Sequence, residues 1–237
     1  MLKLSKRLLA VAGLVSGGNC MADVGTDHGY VPIYLIRQGV VKSAIAMDIN
    51  EGPLSRAKEN IRQYGLDRYI AVRRSDGVLA LQQEEADSVV IAGMGGGLVI
   101  KILTEGREIL SSVSELILQP QSEVERVRHF LYEEGYHIVA EDIVYEDGKF
   151  YPMMRVLHGA EAGDYPEIYF QYGKDLLLNN HAVLADYLKK EEQTLFSIKK
   201  QLTDENKEER IRLRIEEIDK KLSLVEEAKM EMKRHAM

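Results

Sequence analysis

A chain of 237 residues, 45% hydrophobic and 29% charged, can bury one sizeable core and still carry an appendage. Its single cysteine, Cys20, excludes a disulfide framework and a thiolate zinc site, and fits a reducing cytoplasm. A net charge of −7 gives no help to a nucleic-acid partner, although phosphate responds to a local patch and not to the total.

The N-terminal stretch from Met1 to Val15 carries Lys3, Lys6 and Arg7, but Leu4, Leu8, Val11 and Val15 recur at helical spacing, so it reads as an amphipathic helix and not as a signal peptide. No apolar run reaches the roughly 20 residues that span a bilayer. Next, β-branched or apolar runs alternate with amphipathic helical stretches: Cys20–Val24 (strand), Tyr30–Arg37 (helix), Ser43–Asp48 (strand), Gly52–Tyr64 (helix) and Tyr69–Arg74 (strand). Val78–Gln83 (short helix), Ser88–Ala92 (strand), Leu98–Leu110 (helix), Glu115–Gln119 (strand) and Glu123–Glu134 (helix) continue the pattern. Repeated βα units build a parallel sheet with helices on both faces. His137–Tyr145 and Phe150–Leu157 then read as two strands joined by Glu146-Asp147-Gly148-Lys149, a hairpin signal. A parallel sheet ending in an antiparallel hairpin resembles the methyltransferase variant of the Rossmann sheet. The expected class is therefore α/β, a Rossmann-like class I methyltransferase sheet over residues 1–159, followed by a helical coiled-coil hairpin over 160–237.

The loop after the first strand, Asp23-Val24-Gly25-Thr26-Asp27-His28-Gly29, lies where doubly wound folds bind ligands, and its glycines permit close backbone approach. Gly25…Gly29 is not the dinucleotide spacing. Carboxylates at Asp23 and Asp27 would repel a pyrophosphate but suit a cofactor bearing an ammonium and a sulfonium. Asp48, followed by Ile49, ends the second strand, where an acid can accept two ribose hydroxyls. Asp76-Gly77 follows the third, where a carboxylate can accept from an adenine amino group. Singly, such an Asp can be a helix cap and such a Gly a turn; three at the ends of three consecutive strands point to a cofactor site for S-adenosyl-L-methionine.

The runs Lys3-Leu4-Ser5-Lys6-Arg7-Leu8, Val24–Pro32, Ala46-Met47-Asp48-Ile49-Asn50, Ile91-Ala92-Gly93-Met94-Gly95-Gly96, Leu118-Gln119-Pro120-Gln121 and Gly148–Met153 resemble one bacterial family. It is the tRNA (adenine-22-N1)-methyltransferases, which methylate N1 of adenine 22 in the D-loop region of certain tRNAs. The resemblance covers residues 1–160 in its motifs and the helical tail in kind. It implies S-adenosylmethionine as cofactor and tRNA as partner; the composition and spacing above add the expectations of a cytoplasmic protein with no membrane and no metal, and a monomer is expected.

Adenine N1 carries an in-plane lone pair and needs no obligatory base, so positioning and electrostatics should dominate. Because N1 lies on the Watson–Crick edge, the base must be unpaired or flipped. Amino-methyltransferases of nucleobases often carry Asn/Asp-Pro-Pro-aromatic after the fourth strand; this chain has Gly93-Met94-Gly95-Gly96-Gly97, which lets a flat base approach backbone. Gly93, Met94 and Gly95 are thus candidate catalytic residues, with Gly93 also lining the cofactor. Gln119 and Gln121, flanking Pro120, could donate to and accept from an adenine, and Tyr30 or Tyr151 could stack on it. A flexible turn, a surface loop and core tyrosines are the respective alternatives. The histidines, His28 included, lack metal-ligand spacing.

Beyond Glu167, Leu184, Leu188, Leu195, Ile198 and Leu202 form one heptad-like seam, and Ile211, Ile215, Ile218, Leu222, Val225 and Met232 a second. Thr203-Asp204-Glu205-Asn206 reads as the link and cap between two antiparallel helices. Lys199, Lys200, Arg210, Arg212 and Arg214 could meet RNA phosphates, although Glu191, Glu192, Glu208 and Glu209 are interleaved and a solvated face is the default. Lys3, Lys6, Arg7, Arg73, Arg74, Arg126 and Arg128 are further basic candidates. The rival readings are another RNA or small-molecule methyltransferase, a nicotinamide oxidoreductase, and a non-catalytic cofactor-binding module.

Overall fold

The computed structural model describes residues 2–160, 163, 165–205 and 209–235. The chain divides into two compact units, Met1–Gly163 and Asp164–Met237.

The first unit is one seven-stranded sheet in the order β3-β2-β1-β4-β5-β7-β6. Strands β1 (Gly18–Val24), β2 (Val41–Asp48), β3 (Ile70–Arg74), β4 (Ser88–Met94) and β5 (Glu115–Pro120) run parallel. β6 (Tyr136–Glu146) and β7 (Lys149–His158) form the antiparallel hairpin, with β7 against β5. Asp147 and Gly148 hold the hairpin's turn with φ of 49° and 81°, the conformation that Asp-Gly favours. This is the expected Rossmann-like sheet with its antiparallel ending.

Side-chain alternation sorts the strands onto two cores. Ala22, Val24, Val89, Ile91, Leu116, Leu118, Met154 and Val156 face one layer, with helix α4 (Gly96–Glu105) and helix α6 (Val124–Glu133). Met21, Val90, Ile117 and Met153 face the other, packed with α1 (Lys6–Gly13), α2 (Tyr30–Arg37) and α3 (Glu51–Gln63). Each fully buried large apolar side chain, such as Ile91 or Leu118, contributes about 1.5–3 kcal/mol. Since residues two apart share a face, Asp23 must follow Met21, Gln119 must follow Ile117, and Tyr151 must share the face of Met153. All three therefore lie on the α1 side.

Two helical expectations change. Val78–Gln83 is a series of turns and no helix. The Ser75 hydroxyl takes the Ala80 N–H (3.0 Å) and Arg73 takes the Ala80 carbonyl (2.7 Å), groups a helix would have paired internally. The helix expected over Leu98–Leu110 is broken at Gly106 into α4 and α5 (Arg107–Leu110), where Val78 Cγ2 lies 2.2 Å from the place a Cβ would occupy.

In the second unit, α7 (Glu167–Tyr172) and α8 (Lys174–Leu178) precede two long helices, α9 (Ala182–Glu205) and α10 (Glu209–Arg234). Ion pairs Glu192–Lys229 (2.7 Å) and Lys199–Asp219 cross between the helices, and their descending register makes the two antiparallel. Leu184, Leu188, Leu195, Ile218, Val225 and Met232 are buried, as is Ala228 between the last two. Ile198, Leu202, Ile211 and Ile215 are only half-buried. Thr203, Asp204 and Glu205 belong to α9 and are no link; Asn206 and Glu208 lie outside the described residues.

Candidate active site

The strand order reverses between β1 and β4, and in open α/β sheets that is where a crevice opens at the carboxyl ends. Gly25 leaves β1 with φ of +77°, a left-handed conformation that an L side chain resists. It also lies under Met94 at the end of β4, whose Cε sits 2.1 Å from the site of a hypothetical Gly25 Cβ. The Gly25 and Thr26 N–H groups both donate to the Met47 carbonyl, at 2.8 and 2.9 Å, and thereby lock the turn to β2.

Asp23 is 8% exposed and, among the described residues, has no cation within 4.0 Å. Burial pushes its carboxyl up to about 6; the nearby Thr26 hydroxyl opposes the rise and the Asp48 carboxylate adds to it. Thr26 Oγ1 is itself buried and makes no bond of good geometry among the described residues. A buried carboxyl without a cation, next to an unpaired hydroxyl, suits a ligand that brings positive charge and a hydrogen-bonding group. Asp48 stands half-exposed at the end of β2, one oxygen accepting from Asn50 N at 2.7 Å. The Ile49 side chain is exposed beside it, and in the turn after β3 Asp76 is exposed and Gly77 half-buried. The coupled acidic pair is thus Asp23 and Asp48. Asp27 instead bonds Arg56 of α3 (Nε–Oδ1 3.1 Å) and lies 3.3 Å from His28 Nε2, with its side chain 60% exposed. The His28 ring stacks on Tyr30 at 5.0 Å, and Gly29 caps α2.

Gly93 is the extra residue of a bulge in β4, since Ala92 faces Gln119 and Met94 faces Pro120. Its φ of +82° requires glycine, and the nearest atoms to a Cβ there are Arg7 Nη1 (3.5 Å) and Gln121 Nε2 (3.6 Å). Gly95 is exposed and caps α4; a Cβ there would touch only Ser122 Oγ, at 3.3 Å. The tight glycine is Gly96, where a Cβ would stand 2.6 Å from the Ser122 carbonyl oxygen and 2.9 Å from that of Glu123.

Gln119 corrects the expected substrate contact. Face parity turns it beneath α1, where it is fully buried; its Oε1 accepts from Arg7 Nη1 at 2.8 Å and its Nε2 approaches the Pro120 carbonyl at 3.2 Å. Pro120 is buried too, while Gln121 is exposed. The Tyr151 ring carries Arg7 on one face, with Cζ 5.6 Å from the centroid. From the sequence Arg7 is one of several basic candidates for RNA contact; its place against Gln119 and Tyr151 is not readable there, because nothing in the linear sequence says which face α1 covers. Arg128 is likewise no RNA contact: it is buried against Glu141 (Nε–Oε1 2.9 Å). Arg73 is held by Glu85 at 2.6 Å and Arg126 by Glu123 at 2.7 Å. Among the described residues no cluster of His, Cys, Asp and Glu could hold a metal ion, and no helix is long and apolar enough to cross a membrane.

A family model described as tRNA (adenine(22)-N(1))-methyltransferase matches residues 21–227. The chain belongs to that family. It is 39% identical over 195 residues to the Bacillus subtilis tRNA (adenine(22)-N(1))-methyltransferase, covering 82% of this chain and 79% of that one. The solved B. subtilis M1A22 tRNA methyltransferase superposes with a TM-score of 0.86 at 34% identity, covering 96% of this chain and 99% of that one. A Streptococcus pneumoniae protein described as a candidate tRNA (m1A22) methyltransferase, in complex with S-adenosyl-L-methionine, gives 0.84 at 34% identity over 95% and 99%. Family membership thus agrees with a crevice whose acids suit a cationic cofactor.

Proposed function

We propose that this protein transfers a methyl group from S-adenosyl-L-methionine to N1 of adenine 22 in tRNA. The observation that carries the reading is the pairing of the family match with the crevice between Asp23, Gly25 and Met94, in which a buried carboxyl awaits positive charge.

When bound, S-adenosylmethionine would supply an electrophilic methyl, whose C–S bond would break as the N1 lone pair bonds to it, moving the positive charge from sulfur to the purine. Asp23 meets the cofactor's positive charge. Asp48 would accept from its ribose hydroxyls, and Asp76 from its adenine amino group. Gly25 and Gly29, with Thr26, shape the loop along the cofactor; Asp27 and His28 stiffen that loop from outside through Arg56 and Tyr30. The target base approaches Gly93, Met94 and Gly95, where the bulge exposes backbone groups. Gln119, Pro120 and Tyr151 form the floor and the side of that approach, acting through Arg7 and not on the base itself. Adenine N1 carries no proton at neutral pH, so no side chain is needed to deprotonate it. The antiparallel helices α9 and α10 provide a second tRNA-binding element through exposed Lys200, Arg210 and Arg212.

Nucleoside analysis of total tRNA from a strain lacking the protein tests the reading. Loss of 1-methyladenosine at position 22, restored by the wild-type chain, supports it; an unchanged content at that position contradicts it.

A further inference from the structure

We propose that Arg7 is an anion receptor at the carboxyl crest of the sheet, taking a carboxylate or phosphate oxygen of a molecule bound beside Gly93. This rests on the methyltransferase reading for the identity of that molecule, but not for the receptor chemistry.

Three observations converge on this side chain. First, Arg7 is held in place from both ends. Its backbone N–H and that of Lys6 donate to the two oxygens of Glu146, at 3.3 and 2.7 Å, which anchors the start of α1 on the β6–β7 turn. Its Nη1 donates to buried Gln119, and its guanidinium lies over Tyr151. Second, the charge is only partly matched: against the desolvation that raises it, the Glu146 carboxyl is lowered by the Lys6 and Arg7 N–H groups and, from beyond ion-pair distance, by the Arg7 guanidinium. Among the described residues no carboxylate oxygen lies within 4.0 Å of the guanidinium, and the Glu146 oxygens are engaged by the start of α1. Gln119 and Tyr151 are neutral, so one N–H and one ring face are satisfied while most of the five donors remain available. A guanidinium stays protonated at any physiological pH, so a partly buried one with unused N–H donors and no carboxylate in direct contact can take an anion from outside. Third, the location is functional: Nη1 is 3.5 Å from the position of a Cβ on Gly93, the bulged residue between the cofactor crevice and the base approach.

The chemistry of the reaction favours the same arrangement. Positive charge arises on the purine during transfer, and a bare guanidinium near it would oppose that change. Pairing Arg7 with an anion cancels the repulsion while fixing the orientation of whatever carries the anion. Two sources offer that chemistry at this place: the carboxylate of the cofactor's amino-acid end, and a phosphate of the target nucleotide.

The test uses the full-length protein, its Arg7→Met and Arg7→Lys variants, and three readouts. Calorimetry with S-adenosylhomocysteine and with 5′-methylthioadenosine, which lacks the amino-acid end, reads the carboxylate. Binding of unmodified tRNA across a salt series reads the phosphate. If the cofactor is the source, Arg7→Met lowers S-adenosylhomocysteine affinity by about tenfold or more and leaves 5′-methylthioadenosine unchanged. If the nucleotide is the source, cofactor affinity holds while the log–log salt slope of tRNA binding falls by about 0.7–0.9, and Arg7→Lys keeps the slope. Either pattern supports the proposal, since a purely structural role for Arg7 would not produce it. Wild-type values in both assays overturn it. Should Arg7→Met fail to fold, phenylglyoxal labelling of the wild-type protein decides: protection of Arg7 by S-adenosylhomocysteine or by tRNA supports the receptor, and equal labelling with and without both overturns it. A wild-type protein that makes no 1-methyladenosine would fail the functional reading alone, because these binding readouts do not depend on turnover.

Discussion

The thioether methyl of Met94 occupies the space that a side chain on Gly25 would need, 2.1 Å from the hypothetical Cβ. The ends of β1 and β4 are therefore packed together at the crevice where the cofactor site is proposed. Replacing Gly25 by alanine has two costs: a left-handed φ of +77°, worth about 1–2 kcal/mol for an L residue, and displacement of the Met94 methyl. We expect Gly25→Ala to lower the unfolding free energy by roughly that amount and to weaken cofactor binding as Met94 is pushed into the crevice. Denaturant unfolding with calorimetry on the folded variant checks both; an unchanged cofactor affinity would detach Met94 from the site.

Asp48→Ala should leave the fold intact, because Asp48 is half-exposed at a strand end and its one described side-chain bond is to Asn50 N. Two ribose hydroxyls would lose a charged acceptor worth about 1.5–3 kcal/mol per bond, so S-adenosylmethionine affinity should fall tenfold or more. Titration calorimetry on the folded variant measures it. Near-wild-type affinity would remove Asp48 from the proposed set.

Asp23 makes a pH prediction whose sign is fixed by its carboxyl, raised from 3.8 to about 6 by burial, with the Asp48 charge adding and Thr26 opposing. The protonated form is favoured in the folded protein. The contribution to stability is therefore fully present below pH 3.8 and is lost as pH rises from about 4 to about 6, by roughly 3 kcal/mol at about 1.4 kcal/mol per unit. A cationic ligand favours the ionised form, so cofactor affinity should rise with pH up to about 6 and then level off, with proton release on binding near pH 5.5. Calorimetry in two buffers of different ionisation enthalpy counts the proton. Asp23→Asn should abolish the release, and a release that survives the substitution would assign it to another group.

Much of this was legible in the chain. The acids and glycines at the ends of β1, β2 and β3 pointed to S-adenosylmethionine, the cofactor the family uses, and Asp147-Gly148 announced the antiparallel ending. What stayed hidden depends on tertiary facts. The Ser75 hydroxyl competes for the Ala80 N–H and prevents a helix that the local pattern allowed. Gln119 looked like a base-reading amide, but its parity with Ile117 turns it under α1, and only the packing of α1 reveals that. Asp27 looked like half of the acidic pair until α3 brought Arg56 beside it. The packing of Gly96 against the Ser122 and Glu123 carbonyl oxygens was hidden as well, because the run of glycines does not say which one meets backbone.

The hairpin helices should matter for RNA and not for cofactor. A chain truncated after Gly163 keeps the entire sheet and should fold and bind cofactor at wild-type affinity, while tRNA affinity and methylation drop severely. Lys199 and Arg214 are engaged by Asp219 and Glu217, so charge reversal belongs on Lys200, Arg210 and Arg212. That triple variant should lower the log–log salt slope of tRNA binding by about one or more. Full methylation of tRNA by the truncated chain would give the helices another role.

The product tests the central claim most directly. Purified protein is incubated with S-adenosylmethionine and unmodified tRNA carrying adenine at position 22. The RNA is then digested for mass spectrometry and probed for a reverse-transcription stop. The crevice at Gly93 and a nucleophile that needs no base predict 1-methyladenosine at position 22 and no other methylated position, at a rate that stays flat above about pH 6. N6-methyladenosine at that position, or a methyl group on a guanine or uridine, would contradict the account.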